Sequence, residues 1–582
     1  MTSPFFQTFL KISRDTHAPQ VLSHLDIAFA EFLYSQITST HASHQWIAAL
    51  TSYQWMRGHA CLDIDQLQSN PQSLLNWNLQ QVDCIPKDIA NHIADCPWAM
   101  GDHSPLVLQN SRVYLRRAFT AETNIRILIK QHLKSTHLLK PAGPAVLDQL
   151  FSQSDDSSSQ QKAACRFAVQ SPITLITGGP GTGKTTTVVK LIACLQANRT
   201  TPLRVVLAAP TGKASARLSQ SIRQSIPHLP STLTQHIPQQ AQTLHRLLGR
   251  PNQQSPYLTA DLIIVDEASM IDLEMMARLL RAVSPHTQLI LLGDKDQLAS
   301  IEAGAVMSQL CEGQLLRNHT QTLTHSHRFD ETKGIGQWAR TIQSMNQQAL
   351  RQLWNQAPVG LTHPHEAVTQ LSHATHHPDV LKEISYAWQD WLLLLRQVNQ
   401  QENGCTDEQA AQLMHLFQQF CVLCALRKGY WGVETLNRTI EKYFQLGQTE
   451  WYCGRPMMVT QNDYTLHLMN GDIGMCLPQM INHQMVMRVA FLDEGIGIRW
   501  VLPQRLDHVE TVFAMTVHKS QGSEFDRVLL VMPDQDSPLL TRELIYTGLT
   551  RAKLGACIWA NQPHIVFDAC TKAVMRCGGL LN

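Results

Sequence analysis

The run Gly178-Gly179-Pro180-Gly181-Thr182-Gly183-Lys184-Thr185 fits the spacing G-x-x-x-x-G-K-[ST] in full. Glycines at these positions let successive backbone N–H groups turn toward one centre, a concavity suited to phosphate oxygens. Lys184 would carry a cation to the β- and γ-phosphates of a nucleotide, and Thr185 a hydroxyl to Mg²⁺. Thr186 continues into a helix-like stretch that ends near Gln196, and a helix start adds positive potential at the same place. A glycine turn can match this spacing by chance. Here an apolar strand, Ile173 to Thr177, leads into it and the helix leads out of it, the context a phosphate loop requires.

Hydrolysis needs carboxylates beside that loop. Leu262-Ile263-Ile264-Val265-Asp266-Glu267-Ala268 reads as a buried apolar strand with two acids at its C-terminal end. Asp266 is the candidate Mg²⁺ ligand, and Glu267 the candidate base for an attacking water. Alone, such a pair is often a solvated helix cap; beside a phosphate loop it reads as chemistry.

Phosphate loops serve many enzyme classes, so the remaining runs decide among them. In chain order they are Gln161-Lys162-Ala163-Ala164, Ala209-Pro210-Thr211-Gly212-Lys213-Ala214 and Gln242-Thr243-Leu244-His245-Arg246. Leu292-Gly293-Asp294-Lys295-Asp296-Gln297-Leu298 and Ser326-His327-Arg328-Phe329 follow. The last two are Thr516-Val517-His518-Lys519-Ser520-Gln521-Gly522-Ser523-Glu524-Phe525 and Tyr546-Thr547-Gly548-Leu549-Thr550-Arg551-Ala552-Lys553.

In that order, from about residue 160 to the end, these runs resemble the motifs of the superfamily 1 helicases. The resemblance implies that Gln161, or its neighbour Gln160, recognises adenine. It implies DNA-backbone contacts from Thr211, Thr243, His245, Thr516 and His518, a γ-phosphate sensor at Gln297, and arginine fingers at Arg328 and Arg551. With the loop residues Gly178 to Thr186, these make up the expected site. ATP would lie between two α/β domains, with Lys184, Asp266 and Glu267 from the first and Arg551 from the second. Thr185 and Asp266 would hold its Mg²⁺.

Further stretches are similar to the RecD family, the alpha subunits of bacterial exodeoxyribonuclease V. They are Gly178 to Thr187, Val422-Leu423-Cys424-Ala425-Leu426-Arg427 with Gly432-Val433, Gly454 to Thr460 through Asn470 to Gly474, and Thr516 to Phe525. Pro105 to Leu115 also looks like that family's N-terminal domain. The family implies an ATP-dependent 5′-to-3′ DNA helicase acting on single-stranded DNA at duplex ends, with RecB and RecC as partners. It implies double-strand break repair by recombination and degradation of linear DNA. Residues 219–241 would correspond to the strand-separating hairpin domain, although they are polar and offer no aromatic wedge. No cluster of nuclease carboxylates is evident, so cutting would fall to RecB. A stand-alone RecD-like helicase is the alternative. Such helicases carry a longer N-terminal region than the roughly 160 residues that precede the motor here.

The elements that must position these residues are also legible. Ile173 to Thr177, Arg204 to Ala208, Leu262 to Val265 and Gln288 to Leu292 are short apolar runs separated by helical stretches, the pattern of a parallel α/β sheet. The expected architecture is α/β, with two RecA-like motor domains at 160–340 and 341–582. Residues 219–241 form a small insertion in the first, and a small SH3-like barrel at about 450–510 interrupts the second. Residues 1–115 form a helical, partner-docking domain in which Trp46, Trp55, Trp77 and Trp98 serve core or interface. Within it, Ser104 to Leu115 reads as two strands about an Asn-Ser turn. Residues 116–159 form a helical connection ending in the serine-rich linker Ser152 to Ser159.

Composition bounds the rest. The 582 residues are 44% hydrophobic, and 47 basic side chains nearly cancel 46 acidic ones. A net charge of +1 gives no bulk attraction for nucleic acid, so any grip on DNA must come from a few placed groups. The sequence has no signal-peptide pattern at Met1 to Phe6 and no membrane span, which predicts a cytoplasmic protein. Its 14 cysteines fit no zinc pattern and are expected to be reduced thiols.

Overall fold

The computed structural model describes residues 21–581 except 38–40, 136–137, 140–143, 152–155, 198, 200, 250–255, 301, 362–366, 373–375, 448, 494–496 and 575. Met1 to Phe6 and the first four residues of the expected linker lie outside the described residues.

The N-terminal domain packs helices His24–Gln36 and Ala42–Met56 over a small antiparallel sheet of Cys61–Asp63, Arg112–Leu115 and Leu106–Gln109. Ser23 starts the first helix in a capping box with Asp26. The expected hairpin forms, with Asn110 and Ser111 both at positive φ, the backbone of a type I′ turn. Trp46, Trp77 and Trp98 are buried in this domain's core. Trp55 instead faces the first motor domain, with the Arg117 guanidinium 4.5 Å from its ring.

The first motor sheet has six parallel strands in the order Gln242–Thr243, Val205–Ala209, Leu262–Val265, Gln288–Gly293, Ile173–Gly178, Thr320–Leu323. Its apolar runs are continuous because both faces are covered. Leu175, Ile263, Val265 and Leu291 enter one core, while Ile176, Ile264 and Leu292 enter the other. The second sheet is also all parallel, in the order Val368–Leu371, Ala552–Trp559, Phe525–Val531, Phe420–Cys424, Ala514–Thr516. Between its helix Val433–Tyr443 and strand Ala514–Thr516 lies a five-stranded antiparallel sheet with its own small core. The order is Gly497–Val501, Gln484–Asp493, Ile473–Ile481, Pro456–Val459, Val509–Thr511.

Several expectations are corrected. Ser157 to Ser159 are not linker: they lie in helix Asp156–Val169, which packs on the strand beneath the phosphate loop. The connection before it is helical as expected, carrying Arg116–Leu133 and Pro144–Leu150, and Ile125 and Ile129 of the first enter the first sheet's core. Residues 219–241 form no separate insertion and no hairpin. Helix Gly212–Ser225 runs into them, and Leu233 and Ile237 are buried against the motor core. At the boundary expected at 340, Ile335, Trp338 and Ile342 of helix Gly334–Gln343 pack into a core shared with the second sheet. The chain's end leaves that domain altogether. Cys577 accepts from the Ala60 amide at 2.7 Å, and the Gly579 amide donates to Glu122 at 2.9 Å, tying the tail to the N-terminal region.

Candidate nucleotide site between the two parallel sheets

Strand Ile173–Gly178 delivers the phosphate loop at its C-terminal end, where parallel sheets place ligands. Gly181 and Gly183 both sit at φ 79°, and Gly183 caps helix Lys184–Gln196. Space matters as much as angle. A Cβ at Gly181 would lie 2.4 Å from the Arg328 Cβ, and one at Gly183 2.4 Å from the Gln161 side-chain nitrogen. The loop is thus gripped by two of the expected motifs. The His327 amide donates to Gly181 at 2.9 Å and the Ser326 hydroxyl to Pro180 at 3.0 Å. Gln161 donates to the Thr182 carbonyl at 3.3 Å. Gln160 exchanges hydrogen bonds with Thr324 instead, so Gln161 is the glutamine at the loop. The Lys184 ammonium donates to the Gly178 and Gly179 carbonyls at 2.6 and 3.0 Å.

A cavity of about 580 Å³ opens over this loop. Gln161, Pro180 to Thr186, Asp266, Glu267, Gln297, Arg328 and Arg551 all line it. Gly178 and Gly179 form the loop's base and face a neighbouring cleft with Asp294 and Tyr546. Glu267 holds a left-handed backbone, φ 50°, which costs a non-glycine residue energy and is common at functional turns. Its amide donates to Asp266 at 2.8 Å.

Burial, reinforced by Glu267 and opposed by Lys184, raises the Asp266 carboxyl to about 6. The sign follows: a folded value above the ordinary 3.8 means the fold holds this proton more tightly than the unfolded chain. Stability is therefore lost as pH rises from near 4 toward 6. Asp266→Asn removes that loss, so its melting temperature should gain on the parent's between pH 4 and 7 in thermal unfolding without nucleotide. A constant difference across that range would contradict the assignment.

The second domain closes the cavity. Arg551 is 2% exposed and donates to the Thr547 and Ser523 carbonyls. Burial is the main cause that lowers its pKa, with Glu267 opposing. Glu524 forms ion pairs with Arg328, at 2.7 Å, and with Arg217. These two arginines hold its carboxyl below the usual range in spite of burial. Nearby, buried Asp294 accepts from the Gln297 amide at 3.1 Å and from the Tyr546 hydroxyl at 3.0 Å. The Leu298 amide donates to Thr547, and Gln521 donates to the Leu298 carbonyl. The loop after strand Gln288–Gly293 is thereby bonded directly to two motifs of the second domain.

Four residues here were missed as site groups. Asp294, Glu524 and Tyr546 stand inside quoted runs, where a polar group next to a recognised motif was the available signal. Arg217 carried none, since only its position on helix Gly212–Ser225 brings it to the cavity.

The expected DNA-contact residues stand apart from the cavity. Thr211 and Thr243 cap helices Gly212–Ser225 and Leu244–Leu248, each accepting a backbone N–H at 3.2 Å. Their strands are neighbours, with Ala209 opposite Thr243. His245 is exposed. Thr516 ends the outer strand of the second sheet and accepts from the Lys519 amide, while His518 is half-buried near Arg576, and its pKa is lowered by burial first. Gly212 abuts Met469 and Gly522 abuts Ala214, so these motifs meet across the same junction.

All 14 cysteines are free, most of them buried. No helix among the described residues is long and apolar enough to cross a membrane.

A phosphate loop and acid pair on one parallel sheet, closed by an arginine from a second, define a two-domain P-loop motor ATPase. Family models agree with this by segment. The RecBCD enzyme subunit RecD N-terminal domain matches residues 18–114, an AAA domain 156–364, and a UvrD-like helicase C-terminal domain 511–558. RecBCD enzyme subunit RecD of Haemophilus influenzae is 32% identical, covering 96% of this chain and 97% of that one. Its namesake from Mycolicibacterium smegmatis is 40% identical over 68% of this chain and 69% of its own. The ATP-dependent RecD2 DNA helicase of Deinococcus radiodurans is 30% identical over 78% of this chain and 56% of its own. A solved Pif1 helicase from Bacteroides is a distant likeness, with TM-score 0.36 and 17% identity over 70% of this chain and 93% of that one. The chain belongs to the RecD family of RecBCD enzyme subunits and is an ATP-dependent DNA helicase.

Proposed function

We propose that this chain is the 5′-to-3′ motor of a cytoplasmic RecBCD-type helicase–nuclease, acting with RecB and RecC on single-stranded DNA at duplex ends. Its roles would be recombinational repair of double-strand breaks and degradation of linear DNA. The observation that carries the motor reading is the shared cavity, where Lys184, Asp266 and Glu267 face Arg551 of the other domain.

In this reading Gln161 contacts adenine, and the backbone of Gly178 to Thr186 cradles the phosphates. Lys184 neutralises the β- and γ-oxygens. The donor set fits Mg²⁺: a hydroxyl from Thr185 and a half-buried carboxylate from Asp266, both hard oxygen ligands lining one cavity. Bound there, the ion would neutralise charge on the transferring phosphoryl group. Glu267 takes the proton of the attacking water. Arg328 and Arg551 contact the γ-phosphate, and forked guanidinium contacts suit that task. Gln297 reports the phosphate state through Asp294 to Tyr546, so hydrolysis loosens one domain from the other. Thr211, Thr243, His245, Thr516 and His518 hold the DNA backbone without reading bases. The antiparallel sheet within Pro456 to Thr511 serves as a small SH3-like barrel beside that track.

The match of residues 18–114 to the RecD N-terminal domain favours the complexed subunit over a stand-alone helicase. Co-purification with RecB and RecC homologues, with and without residues 1–110, tests this. Loss of the complex on deletion is expected; a chain that joins neither partner and unwinds alone is the stand-alone helicase. Strand displacement from 5′- or 3′-tailed duplexes decides polarity, and unwinding of 3′-tailed substrates alone would contradict the reading.

A further inference from the structure

Away from the motor, two segments of the N-terminal domain bring imidazoles and carboxylates together. One is the start of helix Ala42–Met56; the other is the turn Ile89–His92 and the residues after it. His41, His92 and Asp95 each present a ligand atom, and these atoms lie within 4.8 Å of one another. The His41 and His92 rings stack at 3.8 Å, and His44 lies 5.6 and 5.9 Å from them.

We propose that His41, His92 and Asp95 form a binding site for a divalent transition-metal ion, of which Zn²⁺ is the fitting member. Two imidazoles and one carboxylate are a borderline donor set, which suits Zn²⁺ and its neighbours rather than Mg²⁺ or Ca²⁺. The surrounding groups are arranged as metal sites require. His92 uses Nε2 against Asp88 at 3.3 Å, which leaves Nδ1 on the side of Asp95, at 3.4 Å. Asp88 is itself fixed by the Ser43 hydroxyl at 2.9 Å. A carboxylate behind a histidine in this way sets the tautomer and orientation of a ligand. Asp95 is held from behind by the buried His44, at 3.2 Å. A merely solvated cluster has no need for these supports, which join residues 45 and 51 positions apart in the chain.

Zinc bonds of about 2.0–2.2 Å put tetrahedral ligand atoms roughly 3.5 Å apart, which His92 Nδ1 and Asp95 match at 3.4 Å, while the three ligand atoms together lie within 4.8 Å. His41 and Asp95 are both exposed, so side-chain rotation supplies the difference. Three protein ligands leave one position for water. The ion would staple the helix start to the turn it packs against, in the domain read above as the docking module, although the site does not depend on that reading.

The test uses the full chain, stripped with chelator and titrated with Co²⁺, then Zn²⁺. The proposal expects uptake at micromolar Co²⁺ with visible bands of nitrogen and oxygen ligation, displaced by Zn²⁺. His41→Asn and His92→Asn should each abolish these bands. Asp88→Asn should weaken uptake about 10- to 100-fold. All three should keep the DNA-stimulated ATPase and the melting temperature of the metal-free parent, which shows that they fold. Uptake only at millimolar metal overturns the site. So do sulfur-to-cobalt charge-transfer bands, which would assign the ion to cysteines, or bands unchanged in the His variants.

Discussion

Arg551→Ala slows ATP hydrolysis by about 10³- to 10⁵-fold while ADP binding persists, the effect expected when an arginine that meets only the transferring phosphate is removed. The structure accounts for this separation of effects. Arg551 is buried and held by two carbonyls of its own domain, so it reaches the cavity pre-aligned. Its neighbours include Arg217 and Arg328, and burial makes its charge costly. Removing it relieves that cost, so the variant should fold. Arg551→Lys should recover little activity, because an ammonium cannot reproduce two parallel contacts to phosphate oxygens. Fluorescent ADP binding and steady-state hydrolysis measure the two parts separately. Loss of less than about tenfold in rate would remove Arg551 from the reaction.

Lys184→Gln is the second large effect, a fall of about 10²- to 10³-fold in the DNA-stimulated rate, with weaker ATP binding as well. Here the two constants should move together, since in the proposed reading Lys184 meets the phosphates before and during transfer. Its ammonium lies across the loop on the Gly178 and Gly179 carbonyls. Glutamine keeps length and hydrogen bonding but not charge, so the loop's geometry should survive. Single-stranded DNA binding should be unchanged, because the expected DNA contacts lie outside this cavity. An intact DNA-stimulated rate would show that the nucleotide is bound elsewhere.

Much of the motor was legible because its signals are local. Leu262 to Val265 is apolar without alternation, and only a strand covered on both faces is written that way. Gly181 and Gly183 announce a turn that other residues cannot make. Composition is a poorer guide than geometry. Ser157 to Ser159 look like linker, yet serine is also favoured at helix starts and these residues begin Asp156–Val169. Residues 219–241 are polar on average, but Leu233 and Ile237 decide their fate by packing on the core. Long-range closure left no trace in the sequence. Nothing local marks Arg217 as a partner of Glu524, or the tail at Cys577 and Gly579 as a clasp on the N-terminal region.

The interdomain bonds give hydrolysis something to move. Asp294 links Gln297 to Tyr546, and Thr547 receives the Leu298 amide. In the proposed reading, a change at the γ-phosphate would reach both motifs of the second domain through these bonds. The same junction carries Gly212, Ala214 and Gly522, next to the expected DNA contacts.

Steady-state ATP hydrolysis by the purified chain, with and without single-stranded DNA, reads this coupling of nucleotide to DNA. Slow hydrolysis that rises steeply with DNA, and that Lys184→Gln removes, is the predicted result. Hydrolysis that proceeds at the same rate with or without DNA would contradict it.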